Sequence, residues 1–208
     1  MAMFKGGTGG VLSGMVGNVV VVNYGNGKVV LRTAPKKRKF TERQKQNWTR
    51  FGALTSFWGQ FDGSPVQQIW KVAEEGRRGI NLFINANSPA FNPEGILEDI
   101  SRLHFSAGKL PLSYKMTAQR TADDPQKVEV TWKDDQSGLA RSDDELMMMT
   151  AHKGKFSGPL ATGASRKQES AVIQLPPVIG TVEGIYLFFA SEKRKLYSPD
   201  QYFSLITA

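Results

Sequence analysis

His104 and His152 are the only histidines in the chain, and there is no cysteine. The missing thiols exclude disulfides, zinc–thiolate sites and cysteine nucleophiles, and they fit a reducing compartment. A hydrolytic histidine needs a nucleophile beside it, and no G-x-S-x-G elbow occurs. A metal needs several convergent ligands, and no cluster at ligand spacing is present. Both histidines fall near predicted strand ends, where a lone imidazole specifies little. The carboxylate pairs Asp123-Asp124, Asp134-Asp135 and Asp143-Asp144 all fall in predicted turns. Neighbours on an extended chain point in opposite directions, which suits neither paired acid–base work nor calcium. Asp134-Asp135-Gln136-Ser137-Gly138 reads instead as turn chemistry, with carboxylates accepting from local N–H groups. The stretch GGTGGVLSG, Gly6 to Gly14, looks like a phosphate loop but lacks a Gly-Lys-Ser/Thr ending and a preceding strand. Met147-Met148-Met149 reads as strand core with one methionine exposed. Asn47-Trp48-Thr49 matches the glycosylation pattern but falls inside a predicted helix. No catalytic residue, cofactor or metal ligand is assigned, and a carboxylate pair distant in sequence is the enzymatic reading left open.

The remaining chemistry is cationic. The net charge is +8, from 27 Lys and Arg against 19 Asp and Glu. Between Lys28 and Arg50 there are nine basic residues and one acid, Glu42, which leaves 18 of each sign elsewhere. The excess charge is therefore local, and a partner can read it as a patch. Lys36, Lys37, Arg38, Lys39, Arg43 and Lys45 are the candidate contacts to phosphate or another anion. Contacts of that kind would be salt-dependent and nearly blind to base sequence.

Stepping outward, the chain must place this segment between a hairpin and a helix. The first 17 residues are rich in glycine and suit either a flexible arm or a closely packed backbone. Val19 to Val22 and Val29 to Leu31 flank Asn26-Gly27, a strong signal for a two-residue hairpin turn. Four successive valines imply that this hairpin is covered on both faces or lies against another subunit. Thr41 and Gln44 form a capping box, and Trp48, Phe51, Leu54, Phe57, Trp58 and Phe61 follow at helical spacing. Ser64-Pro65 with Gln67 starts a second helix, Ile80, Phe83 and Ile84 keep a helical period, and Asn92-Pro93 opens a short helix towards Ile100. Past Leu103 the period changes to 2, with six or seven short strands separated by Gly, Pro, Asp and Ser. The expected fold is α+β: an N-terminal β-hairpin and helical segment followed by an immunoglobulin/fibronectin-like antiparallel β-sandwich. The expected domains are 1–102 and 103–208. No apolar run approaches the ~20 residues of a membrane span. The N-terminus makes a poor signal peptide, so the expected location is cytoplasmic or within an assembled particle.

The order of motifs is similar to an uncharacterised family of domains of unknown function common in Bacteroidota. The likeness rests on Gly14-x-x-Gly17-Asn18-Val19-Val20, Arg32-x-x-Pro35, and Thr41-x-x-Gln44 leading to Arg50-Phe51. It extends over nearly the whole chain, with Trp48 a departure where the family has a small or basic residue. The resemblance implies a helical first half and an immunoglobulin-like second half, with no activity to carry over. The function expected is that of a non-enzymatic structural or assembly protein of the kind phages and mobile elements encode. Its partners would be copies of itself or other subunits. The alternative is sequence-independent nucleic-acid binding through Lys28–Arg50.

Overall fold

The computed structural model describes residues 13–23, 29–34, 39–134, 137–177 and 181–206. The chain divides into two compact units, Met1–Thr41 and Glu42–Ala208.

The first unit is a three-stranded antiparallel sheet, β1 (Gly14–Val16), β2 (Val19–Asn23) and β3 (Val29–Thr33), in that order. Gly17 and Asn18 reverse the chain between β1 and β2, pairing Val16 with Val19. Gly17 has φ 56°, at the first central position where a two-residue hairpin of type II′ requires glycine. The glycine-rich start thus contributes a strand that its composition hides. The expected turn at Asn26-Gly27 lies outside the described residues. The flanking register pairs Asn23 with Val29, whereas a two-residue turn there would pair Asn23 with Val30.

The second unit begins with three helices, α1 (Glu42–Gly59), α2 (Pro65–Val72) and α3 (Gly79–Asn87). Leu54, Phe57 and Phe61 are the buried stripe of the first helix and its exit. Trp48 and Phe51, expected on the same stripe, are each 55% exposed, so the stripe is buried only from Leu54 onward. Ser64 occupies the N-cap of α2, but its hydroxyl makes no cap and Gln67 donates to Trp58 O at 3.4 Å, so the expected box does not form. The helix expected after Asn92 is a loop. Asn92 Oδ1 accepts from Ile96 N–H at 2.8 Å, and Gly95 takes φ 80°, a left-handed conformation that ends helical winding.

The strands that follow are β4 (Tyr114–Arg120), β5 (Lys127–Lys133), β6 (Glu145–His152), β7 (Lys155–Phe156), β8 (Leu160–Ser165), β9 (Ser170–Gln174), β10 (Gly184–Ser191), β11 (Leu196–Tyr197) and β12 (Gln201–Ser204). One sheet has the order β4-β5-β9; in the other, β6 and β10 pair centrally, with β7 and β8 on β6 and β11 and β12 on β10. The two sheets close over Val128, Val130, Trp132, Leu146, Met148, Ile185, Leu187 and Phe189.

The other face of β6 and β10 carries Met147, Met149, Ala151, Tyr186, Phe188 and Ala190 into a second core shared with Leu54, Phe57, Ile69, Trp70, Phe83 and Phe105. This explains why both strands read as continuous apolar runs: each is buried on both sides. It also corrects the reading of the methionine run. All three methionines are buried, with Met148 facing opposite to Met147 and Met149. Tyr186 and Phe188 face the helices, while their neighbours Ile185, Leu187 and Phe189 fill the sandwich. The helix–sheet core runs across the expected 102/103 boundary, and Trp70 Nε1 donates to Phe105 O at 3.1 Å over the same junction.

Candidate functional site

Pairing across β1-β2-β3 puts alternate residues on the same face. Val16, Val19, Val21, Leu31 and Val29 fall together on one side, with Thr33 beyond Val19. Met15, Val20, Val22, Val30 and Arg32 fall on the other. No described residue of this unit is buried, and none belongs to either hydrophobic core. Val16 is 50% exposed, Val29 48% and Leu31 66%. Three strands need a packed apolar face to be stable, and among the described residues of its own unit nothing buries this one. Among the described residues the outer strands β1 and β3 each pair on one side only, and an unpaired strand edge is where another chain can add a strand. The valine run was legible as a strand, and the cover expected on both its faces is not seen among the described residues; the extra strand β1 was not legible.

Of the candidate cations, Lys36, Lys37 and Arg38 lie outside the described residues. Lys39 is exposed, and Arg43 and Lys45 stand on the first turns of α1, where every residue from Glu42 to Thr49 is exposed. Lys45 Nζ is 2.6 Å from Glu42 Oε1, an exposed pair of small energetic weight. Trp48 and Phe51, on the same helix as Arg43 and Lys45, are each 55% exposed. Aromatic side chains beside basic ones form a surface on which bases can stack. The expectation that Trp48 and Phe51 share the buried stripe is corrected: the buried residues of α1 are Leu54 and Phe57.

The two histidines have different surroundings. His104 Nδ1 lies 3.0 Å from Asp200 Oδ1, whose other oxygen accepts from Phe105 N–H at 2.7 Å. Asp200 is fully buried at its side chain and His104 is 46% exposed. The hydrogen bond to Asp200 raises the His104 pKa above its ordinary value, against the opposing effect of burial. Asn87 fixes the same residue from the helical side. Its amide donates to His104 O at 2.9 Å, and its carbonyl accepts from His104 N–H at 2.8 Å. An imidazole aligned by a buried carboxylate has the geometry of a base and its orienter. These bonds tie α3, the 104–105 segment and the residue before β12 together, and among the described residues no serine or threonine hydroxyl hydrogen-bonds to the imidazole. His152 instead hydrogen-bonds through Nδ1 with Thr181 O at 2.7 Å.

The acid pairs are divided by their turns. Asp124 accepts from Gln126 N–H at 2.9 Å and pairs with Lys127 at 3.4 Å, as turn chemistry requires. Asp144 also closes a turn, through Arg141 N–H at 2.8 Å, but it is buried between Arg166 and Arg194. Arg166 is fully buried, donates to Ser113 Oγ and Pro111 O at 2.7 Å each, and lies 4.1 Å from the Phe189 ring centroid. Trp132 Nε1 donates to Arg166 O at 2.7 Å. Spacing gave no sign of this buried cluster, since its members come from separate loops. Among the described residues, no three of His, Asp and Glu converge as a metal site requires. No described helix is long and apolar enough to cross a membrane.

Compared with protein-family models and with curated proteins, the chain matches none.

Proposed function

We propose that this chain is a non-enzymatic assembly subunit whose N-terminal sheet is completed by another copy. The observation that carries this reading is the apolar face of Val16, Val19, Val21, Val29 and Leu31, outside both cores and flanked by strands that, among the described residues, pair on one side only. Fully burying one valine or leucine side chain contributes roughly 1.5–3 kcal/mol, so covering this face supplies a strong drive for association. A second copy is the occupant that needs no further component, and a self-complementary patch closes naturally into a symmetric pair. The larger unit would serve as the body that this sheet joins. Its strand order, β4-β5-β9 against β8-β6-β10-β12, suits an immunoglobulin- or fibronectin-type module used as a structural platform. The motif resemblance to the Bacteroidota family belongs to the same proposal, as does a role in a phage or mobile-element particle. Hydrogen exchange on the full chain tests it. The amides of β1 and β3 are expected to gain protection as concentration rises, and unchanged exchange would remove the reading.

A second reading has its own observation. Trp48 and Phe51 are exposed beside Arg43 and Arg50, which suits stacking and phosphate contacts with a single strand. Titration with a single-stranded oligonucleotide should then quench tryptophan fluorescence, with an affinity that falls steeply as salt rises.

A further inference from the structure

Three adjoining depressions on the 42–208 unit form one groove at the end of α2. The largest, about 500 Å³, lies between the α2–α3 connector, residues 107–109 and β11. A second of about 390 Å³ shares Arg77 and Arg78 with it, and a third of about 410 Å³ shares Lys71 and Lys195. Each has the size of a small-molecule site, roughly 300–1,000 Å³.

Four separate segments bring cations to this groove: Lys71 from α2, Arg77 and Arg78 from the connector, Lys109, and Lys195. Arg77 is engaged by Glu74 at 3.2 Å. Lys71, Arg78, Lys109 and Lys195 make no ion pair among the described residues. Glu74, Glu75 and Glu192 line the groove as well, so five cations face three carboxylates, and the positive excess is what an anion placed there would meet. The floor is apolar, with Val72 46% exposed and Leu196 and Tyr197 half-buried. Burial holds the Tyr197 phenol above its ordinary pKa, so it stays a protonated donor. The walls are fixed to the core. Leu110 N–H donates to Tyr197 O at 3.0 Å, and a Cβ on Gly108 would lie 2.3 Å from that same oxygen, so the 107–110 backbone is seated directly on β11.

We propose that this groove binds a small phosphate monoester. The dianionic phosphate would sit among Arg78, Lys109, Lys71 and Lys195, and the organic body against Val72 and Tyr197. A dianion draws more from four converging cations than a carboxylate does, and the arginine fork suits phosphate oxygens in particular. The site is independent of the N-terminal sheet.

Isothermal titration of the full chain with inorganic phosphate, uridine monophosphate and glucose 6-phosphate tests the proposal. At least one ester is expected to bind saturably and tenfold or more tighter than inorganic phosphate, and the preferred ester identifies the body as nucleoside or sugar. Raising salt should weaken it. The exposed triple change Arg78→Gln, Lys109→Gln, Lys195→Gln should reduce affinity at least tenfold with an unchanged circular dichroism spectrum. Arg43→Gln with Lys45→Gln should leave binding intact. The proposal is overturned by the absence of saturable binding, by inorganic phosphate binding as tightly as both esters, or by loss of binding in the Arg43/Lys45 variant alone.

Discussion

Leu31 stands opposite Val21 across the β2–β3 pair, and it is 66% exposed. It shares its face with four valines, and no described residue of its own unit is buried; this is the exposed apolar patch on which the proposed assembly rests. The sheet and the body should therefore be separable. Deleting residues 1–41 is expected to leave a cooperatively folding protein whose melting midpoint moves by only a few degrees, because both cores lie within 42–208. Thermal denaturation followed by circular dichroism measures this, and loss of the transition would show that the body depends on the sheet.

The opposite truncation should fail. A fragment starting at Leu103 exposes the faces of Met147, Met149, Tyr186 and Phe188 that the helices cover. Such a fragment is expected to aggregate or to bind a hydrophobic dye strongly. A soluble fragment with a cooperative melt would mean that the two-sheet core alone is sufficient.

Phe57 packs among Phe61, Phe83, Phe91, Phe105 and Phe156 with ring centroids 5.3 to 6.2 Å apart. Phe57→Ala is expected to cost about 3–5 kcal/mol through lost transfer energy and the cavity left. Phe51→Ala should cost little, since its ring is in solvent. Chemical denaturation of the two variants separates them, and equal losses would contradict the placement of the α1 stripe.

The Asp144–Arg166 pair gives a third contrast. Arg166→Met leaves Asp144 to Arg194 alone and takes the buried donors from Ser113 Oγ and Pro111 O, each such loss costing about 1–3 kcal/mol, so it should destabilise strongly. Glu42→Gln, which breaks an exposed pair with Lys45, should change stability by well under 1 kcal/mol.

His104 predicts a pH dependence. Its folded pKa is raised above 6.5 by Asp200, so the protonated form is favoured by folding. The contribution is present in full below pH 6.5 and is lost as pH rises through the raised folded value. Asp200→Asn should lower the His104 titration midpoint in an NMR pH series. An unchanged midpoint would show that the 3.0 Å contact does not govern it.

Much of this architecture could be read from spacing. Val128, Val130 and Trp132 alternate as a strand buried on one face, and Val66, Ile69 and Trp70 recur as a helix stripe. What escaped depends on contacts between distant segments. β8, with Gly163 and three small residues, carries no alternation, and β1 is hidden by glycine. Trp48 and Phe51 obey the helical period, yet nothing in sequence says where the covering core ends. The groove was invisible because Lys71, Arg78, Lys109 and Lys195 are scattered through charge-balanced sequence. Only the approach of residues 107–109 to β11 gathers them.

Sedimentation equilibrium on the full chain and on the Val19→Asp, Leu31→Asp variant tests assembly through the N-terminal sheet most directly. Both positions lie on one sheet face outside the cores, so the changes leave the body intact. The wild type is expected to form a species larger than its 23.0 kDa monomer, and the variant to remain at that mass. A wild type that stays monomeric at high micromolar concentration, or a variant that associates as strongly as the wild type, would contradict it.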